Sequence, residues 1–200
     1  MILGVDFDNT LVCYDGLFHA AAVARGLMPE DGPQDKNGVR DWLIEHGRGD
    51  DFTLLQGETY GPGLGAARPY PDALECLAEM QAAGAMIYVV SHKTATPVLG
   101  PAYDLRAAAR AWLAANGFLT PGPVAEDAVF FEDTMAAKAA RVAALGCTHF
   151  VDDMERFLMR PDFPAETARL WFRPVPSAPA PELAAFASWC DLAAYLEAED

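Results

Sequence analysis

The sequence predicts an α/β fold: a doubly wound parallel sheet with a small helical cap inserted after the first strand. Three observations carry this reading. Short apolar runs alternate with helix-patterned segments, as in βαβ units. Three of those runs stop abruptly at polar residues: Asp6 and Asp8, then Ser91 with His92 and Lys93, then Asp152 and Asp153. Between the first run and the second, residues 28–67 show little strand character and several short helical pieces.

Taken in order, Ile2, Leu3 and Val5 form a buried-strand pattern that ends at Asp6. Residues 17–27 read as a helix with Gly26 near its end. Val39 to His46 reads as a short helix, and Asp51 as the cap of another running through Gln56. Gly57 to Tyr70, rich in glycine and proline, reads as loop. Trp42, Phe52, Leu54, Leu55 and Tyr60 need something to bury against, which favours a cap over a floppy connection. Residues 1–27 and 68–200 are then the core, and 28–67 the cap. Pro71-Asp72 opens a helix that Gly84 stops. Ala85 to Ser91 is the second strand, Asp104 caps a helix through Ala115, and Ala128 to Phe131 is the third strand. Thr134 caps a helix over Met135 to Leu145, and Cys147 to Val151 is the fourth strand. A short helix near Met154 to Met159, a strand at Ala168 to Phe172, a Pro/Ala linker at Pro174 to Pro181 and an amphipathic helix at Leu183 to Leu196 complete the chain.

Composition narrows the function classes. With 200 residues, 52% hydrophobic and 22% charged, the chain is long enough for a globular core and is not disordered. No apolar run approaches the ~20 residues of a membrane span. The first apolar residues have no basic region before them and lead straight into Asp6, so they are not expected to be a signal peptide. Cys13, Cys76, Cys147 and Cys190 show no Cys-x-x-Cys spacing and read as reduced thiols, consistent with a cytoplasmic protein; Cys13 reads as a small buried residue. The net charge of -15 disfavours nucleic acid and anionic lipid as partners. With lysine only at Lys36, Lys93 and Lys138, any phosphate site must place its few cations locally.

Asp6 and Asp8 are the first chemical signal. Alone, Asp-x-Asp-x-Thr also fits a strand that ends in solvated acids and an ordinary turn. The matching polar ends downstream favour a site, because strand ends of a doubly wound sheet converge on one crevice. Carboxylates gathered there repel unless a cation or proton sits between them. Hard oxygen ligands suit Mg²⁺.

This order of parts resembles the haloacid dehalogenase-like (HAD) hydrolase superfamily, whose core is Rossmann-like. Its first motif, Asp-x-Asp-x-Thr/Val, matches Asp6-Phe7-Asp8-Asn9-Thr10. Its second, an apolar strand ending in Ser or Thr, matches Val89-Val90-Ser91. Its lysine is best matched by Lys138, and its closing Asp-Asp by Asp152-Asp153. The segment from Lys138 to Asp152 is more compact than in many members, which leaves Lys93 as a competitor for the phosphate-binding role. The resemblance implies a phosphoric monoester hydrolase in which Asp6 is the nucleophile and forms an aspartyl-phosphate, while Asp8 is the acid/base. It implies Mg²⁺ held by Asp6, the main-chain carbonyl of Asp8, Asp153 directly and Asp152 through water. Ser91 and Lys138 would hold the phosphoryl oxygens, with His92 and Lys93 as further phosphate-binding candidates. The acid at position 8 points to phosphate esters, since dehalogenases and phosphonatases of the family lack one there. A helical insert after the first motif implies a small-molecule substrate; His19, His92, Trp42 and Tyr60 are candidates to line it, though each fits packing or surface equally. A phosphotransferase or mutase and a non-catalytic binding protein are the alternatives.

Overall fold

A computed structural model of the chain describes residues 1–174 and 183–199. Its main sheet has six strands, all pairing in parallel. They are β1 (Ile2–Val5), β4 (Met86–His92), β5 (Val129–Glu132), β6 (His149–Asp152), β7 (Ala168–Phe172) and β8 (Ala184–Phe186). The two-residue strands β2 (Val12–Cys13) and β3 (Arg68–Pro69) fall where the chain passes between its two compact units. The main order is β5-β4-β1-β6-β7-β8, so the winding reverses at β1. Ligands of open parallel sheets bind beyond the strand ends at such a reversal.

The helices are α1 (Leu17–Ala24), α2 (Lys36–Glu45), α3 (Gly49–Tyr60), α4 (Ala73–Ala82), α5 (Leu105–Ala115), α6 (Met135–Ala144), α7 (Glu155–Leu158) and α8 (Trp189–Glu199). Strand alternation sorts the core. Val90, Phe150 and Trp171 share a buried cluster with Ala139 and Val142 of α6 and Phe157 and Leu158 of α7. Phe172, on the opposite face, meets Trp189 of α8 at a ring separation of 5.8 Å. The sheet is therefore covered on both sides, which is why its strands read as nearly continuous apolar runs.

Unit 1 comprises Met1–Val12, Pro69–Lys93 and Leu113–Asp200. Unit 2 comprises Cys13–Arg68 and Thr94–Trp112, so it takes in α1 and the segment after β4 as well as residues 28–67. Within unit 2, α1, α2 and α3 pack on one another around Phe18, which touches the rings of Tyr14, Phe52 and Tyr60. Trp112 donates its indole N–H to the Ala67 carbonyl at 2.9 Å, tying the two segments together.

Two elements, α3 and the C-terminal segment, differ most from the sequence reading. Helix α3 does not stop at Gln56 but runs through Gly57 to Tyr60. Gly57 is there for close approach, since a Cβ would stand 2.9 Å from Pro97. Asp51 lies in the first turn of α3 and bonds Arg48 at 2.9 Å; it is not the cap. Residues 183–196 are not one helix: Ala184–Phe186 adds a parallel edge strand, and α8 begins only at Trp189. The linker reading, beyond Pro174, lies outside the described residues.

Gly4 sits at the centre of β1, flanked by β4 and β6. A Cβ there would approach Phe150 Cδ2 to 2.5 Å and Cys147 Sγ to 3.0 Å. Gly4→Ala is expected to lower stability by about 1–3 kcal/mol, the usual cost of overpacking, read as a lower urea midpoint. A midpoint equal to wild type would mean the ring of Phe150 moves aside freely.

None of Cys13, Cys76, Cys147 and Cys190, all among the described residues, is in a disulfide. Burial pushes Cys76 up to about 12 and Cys147 to about 11, so both stay protonated and unreactive near neutrality. No helix among the described residues is long and apolar enough to cross a membrane.

Candidate active site

The site forms where β1 ends between β4 and β6. The register pairs Val5 with Val151, which brings the next residues, Asp6 and Asp152, to the same level. The Asp6 N–H donates to the Val151 carbonyl at 2.9 Å and holds that alignment one residue past the strand. Asp6, Asp152 and Asp153 converge, with one carboxylate oxygen from each lying within 4.8 Å of the others. Asp6 is 3% exposed and Asp152 wholly buried.

Lys138 supplies the counter-charge. It lies on α6, which Thr134 caps by accepting from the Ala137 N–H at 3.0 Å, as its sequence pattern predicts. Fully buried, Lys138 places Nζ 2.6 Å from Asp6 Oδ1 and 2.5 Å from Asp152 Oδ2. The second oxygen of Asp152 accepts from the Met154 N–H at 2.8 Å, so both of its oxygens are engaged. Burial by itself works against the Lys138 ammonium, but Asp152 and Asp6 reverse this and hold its pKa above the ordinary lysine value. Burial raises the Asp152 carboxyl, against the pull of Lys138 and with an added push from Asp6.

Asp8 is not governed by strand alternation, because β1 stops at Val5. It sits on a turn in which Leu11 and Val12 both donate to the Phe7 carbonyl and Asn9 takes φ 58°. Its carboxylate is held instead by Lys93, whose Nζ stands 2.9 and 3.1 Å from the two oxygens. The two candidate lysines thus divide between the two acids of the first motif. Ser91 is buried on β4, opposite Phe131 of β5. His92, one position on, points to the other face, with Nε2 3.1 Å from the Asp133 carbonyl. Among the remaining candidates, His19 Nδ1 lies 3.0 Å from the Pro33 carbonyl, Trp42 stacks on His46, and Tyr60 packs against Tyr14. His19 is thus held by a hydrogen bond, and Trp42 and Tyr60 by ring contacts.

Sequence reasoning did not foresee the pairing of Lys93 with Asp8. A signal existed: Lys93, one residue past β4, follows Ser91 by two positions and so shares its side, whereas His92 does not.

The donor set fits a hard divalent cation. It is all oxygen, and Lys138 brings one positive charge to the two buried carboxylates Asp6 and Asp152, leaving that trio net negative before Asp153 is counted. Asp8 stands apart from the side-chain cluster, so only its main-chain carbonyl is a candidate ligand.

No protein-family model matches the sequence, and no curated protein matches it. Solved structures do. A HAD family hydrolase from Deinococcus radiodurans R1, with bound phosphate and sodium, is 18% identical with TM-score 0.60, over 99% of this chain and 96% of that one. A predicted phosphoglycolate phosphatase from Haemophilus somnus 129PT is 17% identical with TM-score 0.55, over 100% and 97%. The L-2-haloacid dehalogenase from Xanthobacter autotrophicus, with chloropropionic acid covalently bound, is 14% identical with TM-score 0.55, over 100% and 99%. The chain has the HAD-like hydrolase fold, a class whose matched structures include a predicted phosphatase and dehalogenases.

Proposed function

We propose that the chain is a Mg²⁺-dependent phosphatase that hydrolyses a small phosphorylated metabolite through an aspartyl-phosphate. The observation that carries this reading is the pair of separately held acids, Asp6 against Lys138 and Asp8 against Lys93. Phosphate-ester hydrolysis needs both a nucleophile that stays ionised and an acid/base that can serve the leaving oxygen. Displacement of a halide needs no such acid, so Asp8 favours the phosphatase over the dehalogenase.

In this reading an Asp6 carboxylate oxygen attacks phosphorus, and the bond to the leaving oxygen breaks as Asp8 gives that oxygen a proton. Asp8 then takes a proton from water, which attacks phosphorus and releases inorganic phosphate with Asp6 restored. Ser91 and Lys138 orient the phosphoryl oxygens and balance their developing charge. Asp6, the Asp8 carbonyl, Asp152 and Asp153 would hold the cation. Bound Mg²⁺ would screen the anionic nucleophile from the anionic phosphate.

The test is a panel of phosphate esters and 2-haloacids, assayed with Mg²⁺ and with EDTA. Phosphate release that requires Mg²⁺ is expected for at least one ester. Halide release with no phosphate release would overturn the reading in favour of a dehalogenase.

A further inference from the structure

We propose that Lys93 is a positioning residue for Asp8, acting on the leaving-group half of the reaction rather than gripping the phosphoryl group. This rests on the phosphatase reading above. The Lys93 side chain is only 2% exposed, and Asp8 is 19% exposed. An ammonium so enclosed needs a fixed anionic partner, and it has one in both oxygens of Asp8, at 2.9 and 3.1 Å. Its place is set from two further sides. The Lys93 N–H donates to the Glu132 carbonyl at 3.0 Å, which anchors the end of β4 to β5. Nζ lies 5.3 Å from the centre of the Phe7 ring. Phe7 in turn meets Phe131 edge-on, with centroids 5.9 Å apart.

Asp8 needs such a clamp. It stands on a turn beyond the strand, so sheet pairing does not orient its side chain as it does that of Asp6. A carboxylate that must meet the leaving oxygen is effective only if its direction is held. Lys138 is engaged elsewhere: two of its three ammonium donors go to Asp6 and Asp152, which leaves one for a phosphoryl oxygen. The site therefore uses one buried lysine for the nucleophile and another for the acid/base.

The test uses the full chain with Mg²⁺ and a series of substituted phenyl phosphates whose phenols differ in acidity. A good leaving group such as p-nitrophenolate needs little protonation, whereas phenolate needs more. Lys93→Met is expected to lower kcat/KM for phenyl phosphate about 10- to 100-fold more than for p-nitrophenyl phosphate, within the span of acid catalysis. Lys93→Arg, which can still grip both oxygens, is expected to restore the wild-type ratio. Any loss of folded enzyme scales both rates alike and leaves the ratio unchanged.

An equal loss on every ester would overturn the proposal and make Lys93 merely structural. A rise in KM at unchanged kcat across the series would overturn it in favour of phosphate binding. Wild-type enzyme that hydrolyses no ester would overturn the phosphatase reading and this proposal together. Wild-type turnover with an unaltered ratio in Lys93→Met would overturn this proposal alone.

Discussion

Asp6→Asn is expected to abolish phosphate release, by about 10⁴-fold or more, the scale on which removal of a nucleophile acts in other enzymes that work through a covalent intermediate. The amide keeps the shape of the side chain but has no charged oxygen to offer phosphorus. The same substitution is expected to leave the fold intact. In the wild type, Lys138 answers two buried carboxylates with one positive charge. Neutralising Asp6 leaves a one-to-one pair of Lys138 and Asp152, so repulsion between the acids falls. Stability should be unchanged or slightly higher, with a urea midpoint at or above that of wild type. Loss of activity together with a retained midpoint separates a chemical role from a structural one. Wild-type turnover in the variant would remove Asp6 from the reaction.

The strands that build the site were legible because a strand buried on both faces has no polar positions until it ends. Ile2 to Val5 and the run through Val90 obey that rule, the run through Val151 does so only after His149, and each stops at a residue of the site. Helix ends were legible where glycine takes a left-handed conformation, as Gly84 (φ 98°) and Gly146 (φ 63°) do. What escaped was information held by distant neighbours. Gly57 reads as a breaker until Pro97 is seen lying against it. Leu183 to Leu196 has helical spacing, yet its start is drawn off into the sheet, where Phe186 aligns with Phe172. Ser188 then caps the true helix, accepting from the Asp191 N–H at 3.1 Å. The roles of the lysines escaped for the same reason. Lys93 and Lys138 are distant in sequence from the acids of the first motif, and only the order of strands decides which acid each one meets.

Lys138→Met is the substitution with the largest expected effect on stability. It keeps most of the side chain's length and removes only the charge. Asp6 and Asp152, 3% and 0% exposed, are then left facing each other with no ammonium between them. Breaking a buried pair in this way costs about 3–5 kcal/mol, a large share of the roughly 5–15 kcal/mol that holds a domain together. The sign of the pH dependence follows from the carboxyls. Burial already raises the Asp152 carboxyl in the folded wild type, so the folded state binds a proton that the unfolded chain releases. Stability from that group is present at acid pH and is lost as pH climbs from the ordinary carboxylate range through the raised value. Lys138, whose pKa is raised, contributes stability that is fully present below its ordinary value and is lost only in strong alkali. Without the ammonium, the pull of Lys138 that lowers Asp152 is gone, so that carboxyl rises further and the slope steepens. Lys138→Met should therefore approach wild type near pH 5 and fall furthest below it near pH 8, read as urea midpoints at the two pH values. Mg²⁺ should recover part of the deficit at pH 8 and less at pH 5, where a proton on Asp152 competes with it. Adding Asp6→Asn to Lys138→Met should also recover stability, because the two substitutions act on one charge balance. A Lys138→Met protein with wild-type midpoints at both pH values would show that the trio of charges does not support the fold.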